Sequence, residues 1–204
     1  GLPDQAPSGP VAAADCTGPF SDVGCDHRFA GEIGWAAREG IATGYPDGSY
    51  GPTAPVTRQG FAAFLHRHSG APEGPFDDPG YSDVGEDHVF ATEISWLAST
   101  GATTGYADGT FRPTAPVSRQ AAAAMLHRLL GPDDDEAGED RADEQPFTDV
   151  GADHLFAEEI GWLVEDHAQG YEDGTFRPTL PVSRQAAAAM LFREPISVMG
   201  IVAL

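Results

Sequence analysis

One block of residues occurs three times along this chain, in fixed order, and that repetition restricts the possible folds more than any other feature. Phe20-Ser21-Asp22-Val23-Gly24 returns as Tyr81-Ser82-Asp83-Val84-Gly85 and as Phe147-Thr148-Asp149-Val150-Gly151. Asp26-His27 returns as Asp87-His88 and Asp153-His154, and Trp35 returns as Trp96 and Trp162, each two positions after an isoleucine. Gly44-Tyr45-Pro46-Asp47-Gly48 matches Gly105-Tyr106-Ala107-Asp108-Gly109 and Gly170-Tyr171-Glu172-Asp173-Gly174. Pro55-Val56-Thr57-Arg58-Gln59 matches Pro116-Val117-Ser118-Arg119-Gln120 and Pro181-Val182-Ser183-Arg184-Gln185. Units this short cannot bury their apolar faces alone, so the three copies must pack on one another.

Each copy reads as helix, loop, helix, which makes the chain all-α. The first helix is expected after an aspartate able to cap free N–H groups, at Asp26, Asp87 and Asp153. Its apolar positions fall at helical spacing: Phe29, Ile33 and Ala36, then Phe90, Ile94 and Leu97, then Phe156, Ile160 and Leu163. The Gly-Tyr-X-Asp-Gly stretch is turn chemistry, because glycine takes positive φ without penalty. Thr57, Ser118 and Ser183 are the natural N-caps of the second helix. Its buried stripe is Phe61, Phe64 and Leu65, then Ala122, Met125 and Leu126, then Ala187, Met190 and Leu191. The resulting division is an N-terminal extension over 1–19, repeats over 20–69, 81–130 and 147–194, linkers over 70–80 and 131–146, and a tail over 195–204.

Charge excludes some functions. Asp and Glu number 32 against 11 Arg and no Lys, a formal charge of −21. Such a field repels phosphate, so nucleic-acid binding through a general basic surface is ruled out. No apolar run approaches the ~20 residues that span a bilayer, which excludes membrane insertion by a helix. The 131–146 linker carries eight acids against the single Arg141 and reads as a solvated connector. Ile196 to Leu204 is apolar and rich in β-branched residues; it has no counterpart in the earlier copies and needs cover from this chain or from a protein partner.

Cys16 and Cys25, the two cysteines, stand nine positions apart. A disulfide closing a short loop, in an oxidising extracellular setting, is the preferred reading, over free thiols or a metal site. The histidines after the capping aspartates sit a full repeat apart, so they read as packing groups rather than as one metal centre. The Gly-Tyr-X-Asp-Gly loops lack the alternating carboxylates and closing glutamate of a calcium loop. No nucleophile stands in a recognisable elbow, and nothing requires a cofactor. The chain reads as a non-enzyme.

The order Phe-X-Asp-Val, Ile-X-Trp, Gly-Tyr-X-Asp-Gly-Thr-Phe-Arg-Pro and Pro-Val-Ser-Arg resembles the S-layer homology repeat, and the resemblance covers residues 20–194. It implies three repeats packed as a pseudo-threefold helical bundle with grooves between neighbours. It further implies a secreted module at the bacterial cell wall or surface that holds cell-wall polysaccharide, often pyruvylated, without covalent attachment. In the familiar form the second helix opens Thr-Arg-Ala-Glu and its Arg contacts the acidic sugar. Carried onto this chain, that Arg falls on Arg58, Arg119 and Arg184, and the Thr position on Thr57, Ser118 and Ser183. The Glu position holds Gly60, Ala121 and Ala186 instead.

An arginine at the first turn of a helix, beside exposed backbone N–H groups, makes an anion site through its fork and the helix dipole. The competing reading is structural, with the Arg covering apolar surface or pairing with Asp22, Asp83 or Asp149. Trp35, Trp96 and Trp162 either stack on sugar rings or pack in the core. Two functions follow. The first is a wall-polysaccharide anchor working through the Arg grooves. The other is a structural subunit of an extracellular assembly, in which Ile196–Leu204 makes the protein contact.

Overall fold

The computed structural model describes residues 18–131, 147–166 and 168–193. Cys16, most of the acidic linker and the apolar tail lie outside them. Six helices are present among the described residues: α1 (Ala30–Arg38), α2 (Arg58–His68), α3 (Ala91–Ser99), α4 (Arg119–Leu130), α5 (Ala157–Asp166) and α6 (Arg184–Phe192). The described chain is all-α, with three isolated bridges and no strand.

The even-numbered helices start where their caps dictate. Thr57, Ser118 and Ser183 are extended, and their hydroxyls accept the N–H of Gly60, Ala121 and Ala186 at 3.2–3.3 Å. Phe61, Phe64, Leu65, Ala122, Met125, Leu126, Ala187, Met190 and Leu191 are all buried, as the stripe requires.

The odd-numbered helices correct the sequence reading. Phe29 and Phe90 occupy the cap positions of α1 and α3, with no side-chain cap. After each aspartate the chain first makes a tight turn, with the His27 N–H bonded to Gly24 O at 3.0 Å, so the aspartate sits too far upstream to cap. The histidine takes over. Nδ1 of His27, His88 and His154 accepts the N–H of Phe29, Phe90 and Phe156 at 3.1–3.2 Å. A neutral ring in this role carries its proton on Nε2.

The packing unit is not the sequence unit. α2 lies on α3, α4 on α5, and α6 returns to α1, so the second helix of each repeat is covered by the first helix of the next. Each junction carries an edge-on aromatic contact: His66 with Trp96 at 5.1 Å, His127 with Trp162 at 5.3 Å, and Phe192 with Trp35 at 5.4 Å. The three Pro-Val-Ser/Thr segments meet in a closed cycle. Val56 donates its N–H to Val182 O, Val182 to Val117 O, and Val117 to Val56 O, at 2.9–3.0 Å.

Within each repeat one carboxylate ties the first segment to the loop. Asp22 accepts the N–H groups of Tyr50 and Gly51, Asp83 those of Phe111 and Arg112, and Asp149 those of Phe176 and Arg177, all at 2.7–2.8 Å. Partial burial opposes ionisation of Asp22, but the two backbone donors outweigh it and its pKa is lowered. Gly44 and Gly105 close the same loop at φ 70°, and a Cβ there would strike the ring of Phe20 or Tyr81.

Two expected results arise here. Cys25 sits in the turn ahead of α1, and a bridge to Cys16 should stabilise the chain by roughly 2–3 kcal/mol. Mass spectrometry of the unreduced secreted protein should find the pair oxidised; two free thiols would refute it. His68 is 3% exposed, its Nδ1 has no partner, and its ring stands edge-on to Trp35 at 6.0 Å. Burial lowers its pKa, so below the ordinary value of 6.5 the unfolded chain takes up the proton more readily. Stability from this group is complete above that value and falls as pH drops towards the folded pKa. The melting temperature of wild type should therefore fall faster between pH 7 and 5 than that of His68→Leu, which copies Leu129 of the second repeat. Parallel curves would dismiss His68 as the cause.

Candidate functional site

Arg58, Arg119 and Arg184 are the first residues of α2, α4 and α6, and each reaches into the loop of the following repeat. Nε–H donates to Phe111 O from Arg58, to Phe176 O from Arg119, and to Tyr50 O from Arg184, always at 2.7 Å. Arg119 adds a bond from Nη2 to Gln169 O at 3.0 Å. The guanidinium lies over the ring of the same loop residue, at 4.6 Å for Phe111, 4.3 Å for Phe176 and 4.6 Å for Tyr50. Arg58 and Arg119 are 5% and 7% exposed, and burial holds both below the ordinary arginine pKa. Burial likewise pushes Tyr50 up to about 12; its hydroxyl donates to Arg184 O at 2.9 Å.

The backbone N–H groups expected to be open at these helix starts are not open. Arg58 N–H donates to Ala115 O, Arg119 N–H to Leu180 O and Arg184 N–H to Ala54 O, at 2.8–2.9 Å. Gln59, Gln120 and Gln185 donate to Pro113, Pro178 and Pro52 in the same way. Neighbouring repeats saturate the helix termini, so anion binding here depends on side chains. Asp22, Asp83 and Asp149 are engaged with their own loops and are not the hydrogen-bond partners of these arginines.

A second tier of arginine stands at the rim. Arg112 and Arg177 adopt φ 58°, stack on Tyr106 and Tyr171 at 3.9 and 3.8 Å, and pair with Asp108 and Asp173 at 2.9 and 2.8 Å. The Thr110 and Thr175 hydroxyls, followed by these arginines, pull Asp108 and Asp173 down to about 2. The first repeat has Gly51 at this position, also at positive φ.

A cavity of about 690 Å³ opens beside the third loop. Its lining draws on all three repeats: Arg28 from the first, Arg119 from the second, and Tyr171, Arg177, Ser183 and Gln185 from the third. A second cavity of about 610 Å³, under the 70–80 linker, is lined by Asp77, Asp78 and Glu86 among others. Of the residues singled out from sequence, Arg119 and Ser183 border the first cavity. The tryptophans do not. Trp96 is buried against His66, and Trp35 and Trp162 are partly buried at the helix junctions.

The S-layer homology domain profile matches residues 19–62, 80–123 and 146–188, more than half of the chain. The chain belongs to the S-layer homology domain family. It is 33% identical over 157 residues to "Cell surface glycoprotein 1" of Acetivibrio thermocellus, a match covering 74% of this chain and 7% of that protein. It is 30% identical over 155 residues to a "Cellulosome-anchoring protein" of the same organism, covering 74% of this chain and 32% of that protein. It is 28% identical over 183 residues to "S-layer protein EA1" of Bacillus anthracis, covering 89% of this chain and 20% of that protein. The chain thus spans less than a third of the length of these curated relatives.

The S-layer homology resemblance implied grooves between neighbouring repeats, but sequence reasoning missed Arg28, which lines the cavity. The signal was a break in the repeat, since Arg28 aligns with Val89 and Leu155. The rim arginines were present in the Thr-Phe-Arg-Pro motif, four positions after an aspartate, a spacing that places an ion pair across one tight turn.

Proposed function

We propose that this chain is a non-enzymatic surface module that binds cell-wall polysaccharide and so tethers itself, or a partner it carries, to the outside of a bacterial cell. The observation that carries this reading is the cavity shared by three repeats, in which four of the chain's 11 arginines line one concave surface of an otherwise acidic protein. Tyrosine faces and guanidinium forks are the groups that hold a sugar ring and its acidic substituent. At physiological salt the screening length is ~8 Å, so the overall charge of −21 does not prevent a short-range contact with an anion. The family and the anchoring and cell-surface names of the relatives support the same reading. The arginines that were expected to contact ligand serve first as clamps between repeats, and of the three Arg119 also borders the cavity. The alternative of an assembly subunit rests on the 195–204 tail, which lies outside the described residues, and no observation favours it.

The protein should sediment with purified cell walls of the source organism and be released by soluble wall glycan. Failure of the folded wild type to sediment would overturn the reading.

A further inference from the structure

The three loops carry the same dipeptide at their tips: Asp47-Gly48, Asp108-Gly109 and Asp173-Gly174. Asp-Gly is the step at which a peptide chain most readily attacks itself, because glycine has no side chain to shield its backbone nitrogen. Each aspartate here folds its carboxylate forward over the following peptide. Oδ1 accepts the N–H and the hydroxyl of Ser49, Thr110 or Thr175, at 2.9–3.1 Å and 2.6 Å. Each glycine N–H donates to the tyrosine carbonyl at the start of its turn, at 2.9–3.0 Å, and no neighbour crowds any of the three glycines. In these respects the loops are equivalent.

They differ at the second carboxylate oxygen. Oδ2 of Asp108 and Asp173 is held by Nη2 of Arg112 and Arg177 at 2.9 and 2.8 Å, and those arginines are seated on Tyr106 and Tyr171. The matching position in the first loop is Gly51, and among the described residues no cation pairs with Asp47, which is exposed. An arginine protects its aspartate in two ways. Ring closure needs the neutral carboxyl, because the departing hydroxyl leaves as water, and a guanidinium on Oδ2 favours the ionised form. The same bond fixes the side-chain torsion, so the carboxyl carbon cannot turn onto the glycine nitrogen. The threonine hydroxyls, then these arginines, hold Asp108 and Asp173 at about 2, whereas Asp47 is lowered by its bonds to Ser49 without a guanidinium.

We infer that Asp47-Gly48 is a site of spontaneous backbone isomerisation, and that Arg112 and Arg177 shield the two equivalent sites from it. In the step, the Gly48 nitrogen bonds to the side-chain carbonyl carbon of Asp47. The nitrogen gives up its proton and the carboxyl its hydroxyl, so one water leaves and a five-membered cyclic imide forms. Water then reopens the imide at either carbonyl, restoring aspartate or leaving an isoaspartyl link that runs the backbone through the side chain. No oxidant, reductant or further reactant takes part. The added backbone carbon falls in a loop tied down on both sides. Gly48 O accepts the Ser21 N–H at 2.9 Å, Ser49 O accepts the Tyr45 N–H at 2.8 Å, and Arg184 stands over the Tyr45 ring at 4.9 Å. Isomerisation therefore disturbs the seat of Tyr45 beside Arg184 and spares the other two loops.

The test holds the full chain at neutral pH below its melting temperature for weeks and follows isoaspartate at each site by peptide mapping with electron-transfer fragmentation. An opposite charge lowers a carboxyl pKa by about 1–3, so wild type should convert at Asp47 at least about tenfold faster than at Asp108 or Asp173. Arg112→Gly should raise the rate at Asp108 to that of Asp47 and leave the other two unchanged; Arg177→Gly should do the same at Asp173. Both arginines already adopt φ 58°, which glycine takes without strain, so these variants should fold. In urea the three sites of wild type should converge. Equal rates in folded wild type, an unmoved Asp108 in Arg112→Gly, or a rise at all three sites together in both variants would each overturn the inference. So would an order of rates that survives in urea, because flanking sequence would then be its cause.

Discussion

Simultaneous replacement of Arg58, Arg119 and Arg184 by alanine is expected to unfold this chain, not merely to abolish ligand binding. Each side chain crosses to the next repeat and donates at 2.7 Å to a carbonyl beside a fully buried ring. Removing it leaves that carbonyl without its charged donor, removes the guanidinium from the aromatic face, and opens a gap at the repeat junction. A hydrogen bond to a charged group contributes about 1.5–3 kcal/mol. Three such losses at three junctions approach the whole stability of a typical domain, about 5–15 kcal/mol. The measurement is a thermal melt followed by circular dichroism. A triple variant with a cooperative melt within a few degrees of wild type would show that the clamps are dispensable and return these arginines to a purely ligand-facing role. Single variants should be folded and destabilised, with Arg119→Ala most affected because it also surrenders the bond to Gln169 O.

That outcome bears on how much of the molecule its sequence discloses. Helix positions, buried stripes and the Thr57, Ser118 and Ser183 caps were legible because they depend on residues within a turn or two of one another. The caps of α1 and α3 were misread for a local reason. An intervening turn moved the helix start away from Asp26 and Asp87 and left the acceptor role to a histidine nitrogen. The clamps were illegible for a different reason. Arg58 meets a carbonyl 53 positions away, and a backbone carbonyl carries no signature in the residue code. The same applies to the saturated helix termini, whose acceptors are carbonyls of Ala115, Leu180 and Ala54 in neighbouring repeats. Arg28 was overlooked because the search was for what the repeats share, whereas it stands at a position where they differ. The tryptophans show the limit of motif transfer. An aromatic at matched positions fits a sugar platform and a core equally well, and the edge-on contacts with His66, His127 and Phe192 are made to a neighbouring repeat, which the residue code does not show.

Truncation after Gly131, which removes the third repeat and leaves two intact sequence units, is expected to give a chain with no cooperative fold. In an open solenoid such a cut costs one unit and one interface, and the remainder survives. Here the helix contacts close on themselves, so the third repeat supplies partners to both of the others. Without α6, α1 loses its packing partner, and Trp35 loses Phe192. Without α5, α4 keeps its cap at Ser118 but loses its packing partner. The bond cycle breaks at two of its three links, because Val56 N–H loses Val182 O and Val117 O loses Val182 N–H. Arg119 loses Phe176 O and Gln169 O, and Tyr50 O loses the Arg184 donor, so both junctions of the deleted repeat release buried polar groups. One helix pair, α2 on α3, remains, too little apolar burial to offset the chain entropy of two repeats. Far-UV circular dichroism of residues 1–131 should show sharply reduced helicity, and proton NMR should show collapsed amide dispersion. A dispersed spectrum with a sigmoidal melt from that fragment would mean that each repeat stands on its own. The grooves would then be open along a row, and the requirement that all three repeats contribute to the Arg28 cavity would fail with the ring.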